Sequence, residues 1–275
     1  MCTSWWSTTH RPLRIWFFDV GQGDSTLVQF PSGENVLVDA GTNLPSMGKM
    51  VVVPQLKALG VNALDYVVAT HPDSDHTGGI PDVLRQEKVN YFVEPDEDGG
   101  SDEIMQEIHG LCTAKAITEF QPSDGDLEKL SDKCSLSVLN PPREANARLP
   151  LKDNNRAVVL KINYGDFSAM LMADAEAPVE QRLLGEGITH CNILKVGHHG
   201  SKTSSTPQFL NTVHPDYAVI SCGLNNRFGH PNKDVLTRIQ QTGARICRTD
   251  MDGAILVESD GTGYTIKSAG TQNDE

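Results

Sequence analysis

The sequence predicts a single-domain α/β fold, and three observations support this prediction. Short apolar runs typical of buried strands alternate with helical segments along most of the chain, which predicts helices packed on β-sheets. The length of 275 residues is sufficient for a large core, and α/β architectures of this length often form one domain. Polar loops that contain histidines follow several predicted strands, which is where α/β proteins position their sites.

The predicted domain extends from residue 14 to residue 267. Residues 1–13 are assigned to an N-terminal extension and residues 268–275 to a polar tail. The sequence has no run of about 18 apolar residues, and its N-terminus lacks the basic region and long apolar stretch of a signal peptide. We therefore expect a cytoplasmic protein without a membrane partner; the sequence leaves its oligomeric state open.

The first half of the chain contains seven predicted strands and three predicted helices. The strands are apolar runs that end at glycine, proline or polar turn residues. Gly21 and Gly23 separate the first two strands, which suggests backbone dihedrals that side chains would forbid. The predicted strands are 14–20, 25–30, 35–39, 64–69, 89–93, 116–120 and 135–139, and the helices are 51–59, 80–87 and 104–114.

The second half is also rich in predicted strands. Tyr164-Gly165-Asp166 predicts a hairpin turn between the first two of them. A helix start is predicted at Ala177-Pro178, because proline is favoured in the first turn of a helix. The predicted strands are 157–163, 167–172, 193–196, 217–221, 245–247 and 254–257, and a further helix is predicted at 234–241.

Charge and cysteine content narrow the function classes. A formal net charge of −13 argues against a broad surface that tracks duplex phosphates. A nuclease stays compatible with this charge, because bound divalent metals and a local basic rim can hold one phosphate. The six cysteines are scattered and form no Cys-x-x-Cys pair, so we expect buried free thiols and no zinc ribbon.

The most informative stretch is residues 70–79, Thr-His-Pro-Asp-Ser-Asp-His-Thr-Gly-Gly, which directly follows a predicted buried strand. His71, Asp73, Asp75 and His76 place two imidazoles and two carboxylates on one tight strand-to-helix connection. Such groups repel one another as they lose water, unless a cation neutralises them. A solvated polar loop is the alternative, but the density of potential ligands predicts a site for two metal ions.

Other strand ends carry further candidates. Asp174 follows an apolar strand and is predicted to be a carboxylate shared by two metals, with a helix cap as the alternative. Asp24 and Asp39 lie beside glycines near strand ends and are candidates for orienting a ligand histidine; a turn or cap role is the alternative for Asp39. Histidines also occur in two late loops, as the pair His198 and His199 and as His230.

Taken together, these motifs resemble the metallo-β-lactamase superfamily, and more narrowly the soluble hydrolase domain of ComEC-type competence proteins. The resemblance covers residues 14–266. We expect no counterpart of the competence proteins' membrane channel, so the resemblance does not imply DNA uptake. The residues that match are 18–25, 37–41, 70–79, 154–155, 174, 194–204, 225–231, 248–250 and 252–255.

The resemblance implies an αββα four-layer sandwich with two divalent metal ions at one edge of its sheets. It implies that His71 and Asp73 hold the first ion and that Asp174 bridges the two. The second ion would be held by three further residues, Asp75, His76 and His230. Asp73 stands where the superfamily usually has a histidine, and such an oxygen-rich site favours Mn²⁺, although Zn²⁺ remains possible.

The resemblance also implies hydrolysis, usually of a phosphodiester in this branch, by a hydroxide that bridges the two metals. Asp75 is expected to orient that hydroxide, and His198 or His199 to protonate the leaving oxygen. Which histidine of the pair does so, and whether one of them replaces His230 as the distal ligand, stays open.

Substrate contacts are expected from residues near the predicted centre. By resemblance, Asn155 or Asn154 lies near the place where related RNA-processing enzymes have a further histidine. Lys195, Lys202, Arg227 and Lys233 are candidates for phosphate contacts, with solvated side chains as the equal alternative.

The expected function is that of a metal-dependent phosphodiesterase or nuclease whose partner is a nucleic acid or a nucleotide. A small-molecule esterase or lactonase of the same fold is one alternative, because fold does not determine substrate. A non-catalytic metal-binding interaction domain is the other.

Overall fold

The computed structural model describes residues 11–95, 103–131, 133–143 and 153–270. In these residues the chain alternates between strands and helices as the sequence predicts. The strands are β1 (Leu13–Phe17), β2 (Thr26–Gln29), β3 (Asn35–Val38), β4 (Leu64–Val68), β5 (Val89–Val93), β6 (Thr118–Phe120), β7 (Leu127–Lys129), β8 (Cys134–Asn140), β9 (Val159–Tyr164), β10 (Phe167–Leu171), β11 (Ile193–Lys195), β12 (Tyr217–Ile220), β13 (Arg245–Arg248), β14 (Ile255–Ser259) and β15 (Tyr264–Ser268).

Most of the helices connect neighbouring parallel strands. Single helical turns at Gly48–Val52, Asp153–Arg156 and Gly197–Gly200 add to them. The helices are α1 (Val53–Ala58), α2 (Ser74–Thr77), α3 (Ile80–Gln86), α4 (Glu103–Lys115), α5 (Ala177–Gly185), α6 (Pro207–Val213), α7 (Lys233–Gln241) and α8 (Thr249–Asp252).

The strands form two mixed sheets. The first has the order β15-β14-β1-β2-β3-β4-β5-β6, and the second has the order β13-β12-β11-β10-β9-β8-β7. In the first sheet β3, β4, β5 and β6 are parallel, and in the second β10, β11, β12 and β13 are parallel. The loops that follow parallel neighbours leave from one edge of each sheet, so each sheet collects polar loops at that edge.

Three hydrophobic clusters correspond to the three interfaces of a four-layer sandwich. Alternation along the strands separates them: Ile15 and Phe17 of β1 face the second sheet, whereas Trp16 faces the helices. The first cluster joins α1, α3 and α4 to the first sheet, and the second lies between the sheets. The third joins α5, α6 and α7 to the second sheet. The αββα arrangement is therefore confirmed.

Some elements differ from the sequence-based expectation. Helix α6 and strands β7 and β15 are present, although none of the three was predicted. Strand β15 extends to Ser268, one residue into the predicted tail. Residues 1–10 of the predicted extension and 271–275 of the tail lie outside the described residues.

The structure also describes the state of the cysteines and the length and polarity of the helices. The five cysteines within the described ranges are free, and four of them are buried. Among the helices that the structure describes, none combines the length and apolar character needed to cross a bilayer.

Candidate metal centre

The loop after β4 supplies four of the candidate ligands. It passes through His71 and Asp73 into the single-turn helix α2, which contains Asp75 and His76. The backbone N–H groups of His76 and Thr77 donate to the carbonyl of Asp73, so the loop closes tightly. Both histidines are fully buried, whereas the Asp73 side chain is half exposed. The loop thus presents its imidazoles inward and one carboxylate toward solvent.

Asp174 lies at the centre of the cluster, and its two carboxylate oxygens face different histidines. It follows β10 after Ala173, which has a φ of 46° that turns the chain sharply. Asp174 Oδ1 is 3.2 Å from His76 Nε2 and 3.5 Å from His199 Nε2. Asp174 Oδ2 is 3.9 Å from His71 Nε2 and 3.5 Å from His198 Nε2. One buried carboxylate is therefore shared by two groups of ligand atoms.

Several of these buried atoms have no hydrogen-bond partner. They are His71 Nε2, His76 Nε2, His199 Nε2 and Asp174 Oδ1. Leaving one such polar atom buried and unpaired costs about 1–3 kcal/mol, so four at one place are not expected in a site that binds nothing. Imidazole nitrogens and carboxylate oxygens are the donors that Zn²⁺ and Mn²⁺ accept. The chemistry of this donor set therefore fits a metal site.

His199, and not His230, lies with the second group of ligands. His199 Nε2 is 3.4 Å from Asp75 Oδ2, and candidate ligand atoms of Asp75, His76 and His199 all lie within 4.8 Å of one another. His199 Nδ1 donates to the carbonyl of Ser221 at 3.0 Å, which leaves Nε2 free to face the cluster. His230 is not among these atoms, so its assignment to the second ion stays a prediction, and the geometry favours the alternative that His199 replaces it.

His230 lies one layer farther out. Its ring centroid is 5.5 Å from that of His198 and 6.4 Å from that of His199, and it stacks against Phe228 at 5.9 Å. The Asn226 side chain fixes its backbone, because Oδ1 accepts from the N–H and Nδ2 donates to the carbonyl of His230. His230 is thus held over the cluster without joining its inner groups.

His198 is the most exposed of the inner histidines. Its Nε2 faces Asp174 Oδ2, the oxygen that also faces His71. Its Nδ1 is 3.2 Å from a carboxylate oxygen of Glu176, which sequence reasoning missed although Glu176 follows Asp174 by only two residues. This carboxylate orients the ring, as partners of ligand histidines generally do.

Asp39 orients His76 from the opposite side. Asp39 Oδ2 accepts from His76 Nδ1 at 2.7 Å, and the carboxylate also accepts from the backbone and side chain of Thr70. This contact corresponds to the role of orienting a ligand histidine, and it directs His76 Nε2 toward Asp174. Thr70 contributes two hydrogen bonds that were not predicted.

Asp24 approaches the other side of the cluster. Its Oδ1 is 3.4 Å from His199 Nδ1, and its Oδ2 accepts from Lys195 Nζ at 2.8 Å. Lys195 is only 2% exposed, so the expectation that it contacts a phosphate from solvent was wrong. A buried ammonium already paired with a carboxylate cannot reach a substrate in this geometry.

The other predicted substrate contacts are divided between buried and exposed positions. Asn155 is buried and structural: its Oδ1 accepts from the N–H of Glu176 at 3.1 Å, which does not favour a substrate contact. Lys202, Arg227 and Lys233 are exposed on or near the late loops. The Arg227 guanidinium lies 4.9 Å from the centroid of the Phe228 ring, next to His230.

The charges of the cluster are strongly coupled in the metal-free protein. Burial alone would favour neutral Asp174, but His199, His76 and His71 hold the pKa of its carboxyl well below the ordinary value. Burial likewise disfavours charged imidazoles, yet Asp174 and Asp24 raise the pKa of His199 to about 10. In contrast, burial and the neighbouring imidazoles lower the pKa of His230, so His230 is neutral at pH 7.

Comparison with known proteins assigns the chain to a fold and to a group of relatives. A model described as the metallo-β-lactamase superfamily matches residues 18–106. ComE operon protein 3 of Bacillus subtilis is 33% identical over 252 residues, and competence protein ComA of Neisseria gonorrhoeae is 32% identical over 243 residues. These alignments cover 86% and 88% of this chain but only 32% and 31% of the relatives, so the chain spans about a third of their length.

A solved structure supports the fold. CmlA, a diiron β-hydroxylase from Streptomyces venezuelae, superimposes with a TM-score of 0.56 at 14% sequence identity. The match covers 88% of this chain and 53% of that chain. At this identity the likeness concerns the fold alone. The chain therefore has the metallo-β-lactamase fold and is similar, over most of its length, to one part of these competence proteins.

Proposed function

We propose that the protein is a phosphodiesterase that uses two divalent metal ions and acts on a nucleic acid or a nucleotide. The observation that carries the proposal is the shared carboxylate of Asp174, whose Oδ1 faces one pair of histidines and whose Oδ2 faces another. The resemblance to the phosphodiester-cleaving competence branch supports the choice of substrate.

The side chains divide between two ions. His71, Asp73 and His198 would hold one ion, and Asp75, His76 and His199 the other, with Asp174 between them. When bound, the two ions would lower the pKa of a water molecule and neutralise charge on the phosphoryl group. No serine or cysteine nucleophile is needed for such a reaction.

Residues on the solvent side of the cluster would transfer protons, donate hydrogen bonds and attract the phosphate. The Asp75 side chain is 30% exposed, so one of its oxygens can accept a proton from the attacking water. His230 is neutral at pH 7 and held over the cluster, so it can donate an N–H to a phosphoryl or leaving oxygen. The exposed cations Arg227 and Lys202 would attract the phosphate.

The first test compares two aspartates that flank the same strand. Asp174 follows β10, whereas exposed Asp166 precedes it at the opposite end. We expect Asp174→Asn to lose bound metal and to hydrolyse bis-p-nitrophenyl phosphate at least about 100-fold more slowly. Asp166→Asn is expected to retain wild-type metal content and rate, with metal measured by mass spectrometry after reconstitution with Mn²⁺ or Zn²⁺.

Equal rates in Asp174→Asn and wild type would eliminate the two-metal mechanism. A panel of single-stranded DNA, duplex DNA, RNA, cyclic nucleotides and p-nitrophenyl esters then identifies the substrate. Hydrolysis of esters alone would favour the esterase alternative, which the net charge of −13 also favours. Bound metal with no hydrolysis in any assay would indicate the interaction domain.

A further inference from the structure

A buried ammonium group lies directly behind the metal centre. Lys195 is the last residue of β11, and its Nζ donates to Asp24 Oδ2 at 2.8 Å and to the carbonyl of Val196 at 3.2 Å. Lysine is rarely buried unless its charge is paired. The pair joins residues 171 positions apart in the chain, one next to each sheet.

The two aspartates behind the centre are satisfied in different ways. Asp39 accepts hydrogen bonds from the Thr70 N–H, the Thr70 hydroxyl and His76 Nδ1. Asp24 accepts a side-chain hydrogen bond from Lys195, whereas its Oδ1 is buried with no hydrogen-bond partner. Asp39 is thus fixed by several hydrogen-bond donors, whereas Lys195 provides the one side-chain hydrogen bond that the Asp24 carboxylate accepts among the described residues.

Asp24 is near enough to compete for a metal ion. An oxygen of Asp24 and ligand atoms of Asp174 and His199 all lie within 4.8 Å of one another. A carboxylate in such a place is drawn toward a divalent cation unless another positive charge holds it. Its Oδ1 accepts no hydrogen bond and already lies 3.4 Å from His199 Nδ1.

The backbone of Asp24 is held independently of its side chain. Its N–H donates to the carbonyl of Asp75 at 3.2 Å, and its carbonyl accepts from the N–H of Gly41 at 2.9 Å. Loss of the ammonium group would therefore free the carboxylate to turn while the main chain stays in place.

We propose that Lys195 is a positioning residue, an internal cation that holds the Asp24 carboxylate out of the metal coordination sphere and leaves His199 Nε2 as the ligand. The Nδ1 atom of His199 then keeps its hydrogen bond to Ser221, and the ring orientation is fixed. This inference rests on the proposed metal centre and is independent of the phosphodiester substrate.

The experiment uses the full chain loaded with Co²⁺, whose visible absorption reports ligand number. Lys195→Met keeps the length of the side chain and removes its charge. We expect the spectrum to change because the Asp24 carboxylate enters the coordination sphere, and the Co²⁺ affinity to change by about tenfold or more. Lys115→Met is the control, since the Lys115 ammonium binds backbone carbonyls of Leu84, Arg85 and Glu87 away from the centre.

A second variant separates positioning from a purely structural role. Asp24→Asn combined with Lys195→Met replaces the ion pair by neutral groups, so the wild-type Co²⁺ spectrum is expected to return. An unchanged spectrum in Lys195→Met, or a changed spectrum that the double variant does not restore, would overturn the proposal.

If Lys195→Met does not fold, the single variant Asp24→Asn tests the positioning role of Lys195. It leaves an unpaired ammonium beside the bound ion, so Co²⁺ affinity is expected to fall by about tenfold or more. An affinity within twofold of wild type would overturn the proposal. Absence of phosphodiester hydrolysis in the wild-type protein would sink the proposed function but would alter none of these Co²⁺ results.

Discussion

At the scale of single residues, Gly23 allows the connection between β1 and β2 to lie against the loop that follows β4. Its φ is +132°, and a Cβ atom at this position would lie 2.2 Å from the carbonyl oxygen of Asp75. The neighbouring Asp24 N–H donates to the same oxygen. Only glycine permits this approach, so Gly23 contributes to the position of a candidate ligand without contacting it through a side chain.

We expect Gly23→Ala to displace the loop of Asp75 and reduce metal-dependent hydrolysis by about tenfold or more, because a backbone oxygen cannot move aside as a flexible side chain can. The matched control is Gly33→Ala. Gly33 also has a positive φ, +115°, but its added Cβ would meet nothing within 4 Å. Both variants should lose stability through backbone strain, as chemical denaturation would measure. Equal activity in the two would contradict the role of the contact.

The residues of the centre were predictable to different degrees. His71, Asp73, Asp75 and His76 form a local pattern, so the sequence alone predicted their proximity. Lys195 could not be interpreted correctly, because its partner Asp24 is 171 residues away and a lysine at a strand end usually reaches solvent.

At the scale of elements, two neighbouring loops provide histidines with different positions. The turn after β11 places His198 and His199 at φ values of 48° and 52°, a left-handed conformation that directs both rings to Asp174. The loop after β12 carries His230 beyond them. The sequence shows that both loops bear histidines but not which backbone turns inward, so the choice between His199 and His230 had to come from the structure.

This difference gives a prediction for two alanine substitutions. His199→Ala is expected to lose one of two bound ions, since His199 Nε2 faces Asp75 and Asp174. His230→Ala is expected to retain both ions while kcat falls by about 10²-fold, in the range seen when a hydrogen-bond donor to the transition state is removed. Metal analysis and steady-state kinetics on the same preparations measure both effects. Loss of an ion in His230→Ala would restore His230 to the ligand set.

Elements that lack a strong apolar pattern were missed. Strand β7 is only three residues long and contains Glu128 and Lys129, and β15 alternates threonine and lysine with its apolar residues. Both pair antiparallel with a neighbour that was predicted, β8 and β14. Their formation depends on that neighbour more than on their own residues.

At the scale of the whole molecule, the centre is divided between the sheets. The first sheet supplies the loop after β4, and the second supplies Asp174, His198 and His199. The αββα order followed from the resemblance, whereas alternation of apolar residues alone predicted only helices on sheets. The cores on both sides of each sheet keep the two halves of the centre in register.

Metal binding should stabilise the protein more strongly as pH rises. In the metal-free protein the pKa of His199 is raised to about 10, so its ion pairs stabilise the fold below pH 6.5 and are lost as pH rises toward 10. The metal requires the neutral imidazole, so its affinity increases over the same window. Thermal unfolding with Zn²⁺ or with a chelator should therefore show a difference in Tm that widens between pH 6.5 and 9.

The size of the effect can be estimated. Free metal at 100 times its Kd stabilises by about 2.7 kcal/mol, which corresponds to roughly 5–10 °C in a domain of this size. Asp166→Asn should behave like wild type, and Asp174→Asn should show little difference at any pH. A difference in Tm that stays constant with pH in the wild-type protein would contradict the assignment of His199 as a ligand.

The division of the centre between two sheets also has a consequence for the order of assembly. The proposed ligands of each ion come from both sheets, so a chain in which only one sheet has folded offers at most half of each site. Tight metal capture must wait until the sheets have docked across the core that Phe17, Leu160 and Ile193 help to form. Once captured, the two proposed ions would tie together segments distant in sequence and oppose the separation of the sheets, so metal release and partial unfolding would become one coupled event.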